Sequence, residues 1–141
     1  MGLRVKLRLK TTRRVIETSA LINTGFETPE PEIIIPPRLA SILGLMPSNE
    51  FSSYMVAGGG QISAIRSRSQ LKVSIKLDDK VTSEVDAVAL IVFGEEEVIV
   101  SDRLAHELGI VIIDPFNGLW CLRDELGERV RSSVEAEYWA S

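Results

Sequence analysis

From residue 3 to residue 9 the chain alternates strictly, with Leu3, Val5, Leu7 and Leu9 separated by Arg4, Lys6 and Arg8. A period of two predicts a β-strand with one buried face and one charged face. Val15–Ile22 predicts a second strand. It runs into NTGFETPEPE, a loop broken by Gly25, Pro29 and Pro31. Glu32–Ile35 (EIII) predicts a short buried strand that Pro36 and Pro37 stop. Proline suits the first helical position, so RLASILG predicts a short helix, with Gly44 as its left-handed cap. Alternation returns at Leu71, Val73, Ile75 and Leu77. LDDK predicts a turn, and Val81, Val85 and the apolar run 87–93 predict returning strands. After a second turn, FGEEE, Val98–Val100 predicts a strand. Ser101 or Asp102 then predicts the cap of a helix, RLAHELG, that Gly109 ends. IVIID, PFNG and LWCL predict strand, turn and strand.

The expected fold is therefore one mostly β domain over residues 1–141, with a core of about 3–122. In the tail, 123–141, Val130, Val134 and Tyr138 recur at four-residue spacing, which allows a docking helix or a frayed end. One internal echo stands out. PRLASILGL and DRLAHELGI share R-L-A-x-x-L-G and an aliphatic residue after it, each behind a short aliphatic strand. The shared context predicts an approximate internal twofold; two copies are too few for a solenoid.

Composition narrows the class. With 45% hydrophobic residues the chain is not disordered, and 141 residues can hold a core without staples. The longest apolar run, 87–93, is too short to cross a bilayer, so no membrane partner is expected. The N-terminal residues carry charges among the apolar ones, unlike a signal peptide. Cys121 is the only cysteine and excludes an internal disulfide. Together these predict a soluble cytoplasmic protein. A net charge of −4 argues against general nucleic-acid binding. The basic stripe Arg4, Lys6, Arg8, Lys10 reads as the solvent face of an edge strand, where charge discourages wrong pairing.

A strand ending ALI, then x-Thr-Gly, a loop and IPPRLASILGL resembles the retropepsin-like aspartic proteases. The family motif is Asp-Thr/Ser-Gly, followed by a glycine-rich flap hairpin and later an aliphatic-aliphatic-Gly turn with a short helix. The resemblance spans residues 3–122. It implies a closed acid-protease barrel that works as a homodimer, each subunit giving half of the site. It places Asn23 at the catalytic aspartate, and Thr24 where a hydroxyl bonds across the dimer axis to partner backbone. Gly25 allows the close approach there. Ala57, Gly58, Gly59 and Gly60 fall at the flap tip over a substrate cleft. Phe26 departs from the small residue usual in the family, and its ring either narrows the cleft or packs beneath it. Ser101 replaces the glycine of the later turn.

Asn23 changes the expected chemistry. Two adjacent carboxylates share a proton, so one serves as base and the other as acid. An amide offers no titrating proton. Each acid–base role is worth roughly 10²–10⁴ in rate, so the chain as written should not cleave peptides. The expected function is a catalytically impaired relative of aspartic endopeptidases that binds an extended peptide or unfolded protein. Two alternatives stand beside it. One is a genuine endopeptidase whose aspartate has been replaced by Asn23. The other is a non-catalytic dimeric module that uses its basic strand. The departures at Phe26 and Ser101 favour the impaired relative. Glu27, Glu30, Glu32 and Asp114 are nearby acids that read as solvated, His106 as a surface residue and Cys121 as a buried thiol. No metal-ligand spacing and no phosphate-binding loop is present, so no cofactor is expected.

Overall fold

The computed structural model describes residues 2–55 and 61–140. The chain is mostly β. Its strands are β1 (Arg4–Lys10), β2 (Val15–Ile22), β3 (Glu32–Ile35), β4 (Pro47–Met55), β5 (Gln61–Ser67), β6 (Leu71–Ile75), β7 (Val85–Ile91), β8 (Val98–Val100), β9 (Ile110–Asp114), β10 (Leu119–Leu122) and β11 (Arg131–Ser132). Two short helices, α1 (Pro37–Leu43) and α2 (Asp102–Glu107), follow β3 and β8. One 3₁₀ turn covers Arg123–Glu125.

Six strands close a barrel in the order β3-β8-β2-β1-β6-β7, with β7 returning to β3. The ring has an approximate twofold. Exchanging β1 with β6, β2 with β7 and β3 with β8 maps every pairing onto one of the same sense. Thus β1·β2 and β6·β7 are antiparallel, β2·β8 and β3·β7 parallel, and β3·β8 crosses the axis antiparallel. The same exchange carries α1 onto α2, which is the relation that the repeated R-L-A-x-x-L-G implies. Both helices begin as their sequences dictate. Pro37 opens α1, and Ser101 Oγ caps α2 by accepting from Leu104 N–H at 3.1 Å. Gly44 ends α1 at φ 76°, where an added Cβ would lie 2.9 Å from Arg13 Cδ.

Alternating residues fill the barrel. Leu7, Leu9, Ile33, Ile35, Leu71 and Ile75 are solvent-inaccessible inside it. A second apolar layer lies outside β3 and β7, made of Phe26, Ile34, Ala64, Val88, Leu90 and Val92. This layer explains why all four residues of β3 are buried: strands flank it on both edges, and apolar layers cover both faces. β4 and β5 form a long hairpin that extends the sheet beyond the C-terminal half of β7. Ala57, Gly58, Gly59 and Gly60, the expected flap tip, lie outside the described residues.

Two expectations need correction. β1 is not an edge strand, because β2 and β6 pair with its two sides. In the tail, residues 133–140 form no helix and are tied to the barrel by hydrogen bonds. Beyond a small sheet of β9, β10 and β11, residues 133–140 run extended across the outer face of β1 and β2. Val134 N–H donates to Arg4 O at 3.0 Å. Glu137 Oε2 accepts from Lys6 Nζ at 2.7 Å and from Ser19 N–H at 2.8 Å. Trp139 Nε1 donates to Thr18 Oγ1 at 3.0 Å, and Trp139 N–H to Glu96 O at 2.7 Å. The physical reason is an open strand edge. β8 pairs with β2 only from Ala20 onward, so Ser19 N–H needs another acceptor, and Glu137 supplies it. A helix over these residues would have left that edge bare.

Candidate functional site

β2 delivers Asn23 to the end of the barrel, beside β8. Asn23 N–H donates to Val100 O at 3.1 Å, continuing the β2·β8 ladder by one residue. The chain then turns back on itself. Phe26 N–H donates to Asn23 O at 3.1 Å, and Gly25 N–H donates to Asn23 Oδ1 at 3.0 Å. The Asn23 side chain therefore organises its own turn, as Asn and Asp do at such positions. Thr24 and Gly25 are exposed and Asn23 is half-buried. Among the described residues, Asn23 Nδ2 and the Thr24 hydroxyl have no hydrogen-bond partner.

Phe26 anchors the turn from below. It is 2% exposed and sits in the outer apolar layer with Ile34, Val88 and Leu90. Phe26 O accepts from Asp102 N–H at 3.0 Å, which ties the turn to the start of α2. Asp102 Oδ1 accepts from Thr28 N–H at 3.0 Å and so holds the following loop. Ser101 is buried and bridges the same elements. Its hydroxyl accepts from Glu32 N–H at 3.2 Å as well as from Leu104 N–H. Ser101 thus forms a junction between β3 and α2. Arg66 on β5 reaches Glu30 at 3.2 Å and Glu50 at 3.6 Å, linking the hairpin to the loop after the turn.

The other candidate groups separate from this turn. Asp114 closes the β9–β10 turn. Hydrogen bonds from Asn117 backbone and side chain hold its carboxyl below the usual range. His106 is exposed and lies 3.3 Å from Arg123 Nη2. Cys121 is buried. A groove of about 800 Å³ lies between β1, the turn after β6 and the tail, and none of residues 23–26 lines it. The basic stripe is neutralised in place: Arg4 pairs with Glu97, Lys6 with Glu137, Arg8 with Glu17 and Lys10 with Glu84. The hydrogen bond that Arg4 donates to Glu97 also raises the Arg4 pKa.

Sequence reasoning singled out Asn23, Thr24, Gly25 and Phe26, and these four form one turn. It did not find the loop contact of Asp102 or the Arg66–Glu30 link. The only signal for Asp102 was its place beside the helix cap. No helix among the described residues is long and apolar enough to cross a membrane. No known protein family matches the chain, and no curated protein matches it either.

Proposed function

We propose that this protein is a retropepsin-like homodimer without peptidase activity as written, and that it binds an extended peptide beneath the β4–β5 hairpin. One observation carries the reading: the Asn23-Thr24-Gly25 turn, hung from β8 at the barrel end with Asn23 Oδ1 bonded to Gly25 N–H. An aspartate carboxylate oxygen would take the same bond. The barrel's internal twofold supports the reading, because its second half ends β7 in Phe93-Gly94 rather than in a second x-Thr-Gly turn. A complete pair of turns then needs a second chain, and the exposed Thr24 hydroxyl is free to bond across the axis. Extended peptides suit a site bordered by a strand hairpin, since backbone bonds give affinity and side-chain pockets give selectivity. The paired state of the basic stripe argues against nucleic acid as the partner. The buried, unpaired Cys121 fits a reducing, cytoplasmic setting.

Asn23→Asp tests the reading. The parent should show no pepstatin-sensitive cleavage of unfolded protein, and the variant should gain it with an acidic optimum. Two facing carboxylates share one proton, and its loss is shifted above the unfolded value. Their contribution is therefore best at low pH and is lost as pH rises, so the variant should melt lower than the parent at neutral pH and close to it in acid. Equal melting points at both pH values, in a confirmed dimer, would mean that residue 23 does not face its twin. A stable monomer at micromolar concentration would refute the homodimer.

A further inference from the structure

The side-chain amide of Asn23 has a defined polarity. Its Oδ1 is engaged by Gly25 N–H at 3.0 Å. Turning the amide over would set an N–H against that N–H, so Nδ2 must be the atom facing outward. That group carries two donors and has no acceptor among the described residues. A carboxylate at this position would offer only acceptors. Replacing the acid with the amide therefore does more than remove a proton: it converts an acceptor site into a donor site.

We propose that the paired Asn23 amides bind a carboxylate, the free C-terminal carboxylate of a peptide. This inference rests on the homodimeric reading given above. Two Nδ2 groups related by a twofold match the two equivalent oxygens of a carboxylate, which has a twofold axis of its own. N–H bonds to an ionised acceptor are roughly twice as strong as those to a neutral carbonyl. An ionised pair of aspartates would repel the same ligand, so the preference belongs to the amide alone. Opposing charge nearby is limited. Glu30 is met by Arg66, and the Asp102 carboxylate is turned to the Thr28 and Arg103 N–H groups. Exposed Glu27 is the one residue in the loop that weakens the attraction. A peptide ending in this site would lie in one half of the cleft, in the position of a product rather than of an intact substrate.

The test uses the full chain labelled with ¹⁵N, with N-acetyl-leucine and N-acetyl-leucinamide as probes at pH 7. The Asn23 Nδ2 proton signals should shift saturably with the acid. The amide should bind at least about tenfold more weakly, the equivalent of one charge-assisted advantage of about 1.4 kcal/mol. The backbone amides of Thr24 and Gly25 should shift with the acid in the parent, and Asn23→Asp should abolish that shift at pH 7 while the remaining spectrum stays folded. Sedimentation of the same samples separates the two claims. A dimer that responds equally to acid and amide, or to neither, overturns the carboxylate site and leaves the homodimer standing. A monomer overturns both. A response to the acid that survives in Asn23→Asp places the site elsewhere and also overturns the proposal.

Discussion

Glu125→Gln should weaken the anchor of the C-terminal segment in a pH-dependent way. Glu125 lies in the 3₁₀ turn after β10. Its Oε1 accepts from Leu122 N–H at 3.0 Å and from Arg131 Nε at 2.9 Å, and its Oε2 accepts from Arg131 Nη2. Arg131 also reaches Asp79 in the β6–β7 turn at 3.3 Å. The Glu125 and Arg131 side chains are only 11% and 8% exposed. The Arg131 hydrogen bonds hold the Glu125 carboxyl at about 2, against an ordinary value of 4.5. At about 1.4 kcal/mol per pH unit, that interval sets a ceiling of about 3 kcal/mol. The cluster opens to solvent around Asp79 and Lys80, and screening there reduces the expected value to about 1–2 kcal/mol. The folded value is depressed, so the contribution is complete above pH 4.5 and is lost as pH falls toward 2. Glutamine keeps the shape and the Leu122 bond but not the charge. Urea unfolding at pH 7 should therefore show the variant about 1–2 kcal/mol less stable, and the gap should close as pH approaches 2. A gap that stays constant from pH 7 to pH 2.5 would refute the electrostatic origin. No gap at pH 7 would show that Asp79 alone compensates the Arg131 charge once residue 125 is neutral.

Three further outcomes follow from single contacts. Phe26→Ala should cost about 3 kcal/mol in denaturant unfolding, since it empties the centre of the outer apolar layer; a loss under about 1 kcal/mol would mean the layer collapses freely. Ser101→Ala should cost about 2 kcal/mol by the same measurement, because it removes a helix cap and strands the buried Glu32 N–H together. Trp139→Ala should raise amide exchange at Ser19 selectively, by loosening the segment whose Glu137 covers that N–H, while exchange at Trp120 stays at the parent rate.

Local pattern carried most of the barrel. β1, β2, β3, β8, β9 and β10 lie where alternation or short aliphatic runs predict them, and Pro37, Ser101 and Gly44 punctuate the helices as their backbone chemistry requires. The internal twofold was legible because its repeated unit is short and contiguous. The failures share one cause, dependence on partners far along the chain. The four-residue spacing of Val130, Val134 and Tyr138 suggested a helical face, yet all three are exposed. What holds the segment is Arg131, Glu137 and Trp139, through groups more than forty residues away such as Asp79, Ser19 and Thr18. The stripe on β1 looked like an edge strand's charge because its counter-ions come from distant segments, Glu97 and Glu137 among them. Residues 47–55, PSNEFSSYM, have too few apolar positions to show a period of two, so β4 was not readable as a strand. At the candidate site the turn itself was readable from three residues, whereas the bonds that Asp102 accepts from Thr28 N–H and Ser101 from Glu32 N–H join backbone groups that no side-chain pattern reveals.

The tail crossing β1 and β2 also constrains the order of events during synthesis. Lys6 and Glu137 are 131 residues apart. A ribosome adding about 5–20 residues per second makes the second roughly 7–26 seconds after the first. Throughout that interval Ser19 N–H lacks the carboxylate that will cover it, and the outer edge of β2 remains a template for pairing with another nascent chain. Contacts of such long separation also form late in folding, after the loop-closure entropy of the intervening chain has been met. The tail is therefore expected to close last. Lesions in it should first appear as low recovery of folded protein and as aggregates, even where the melting point of the folded fraction hardly moves.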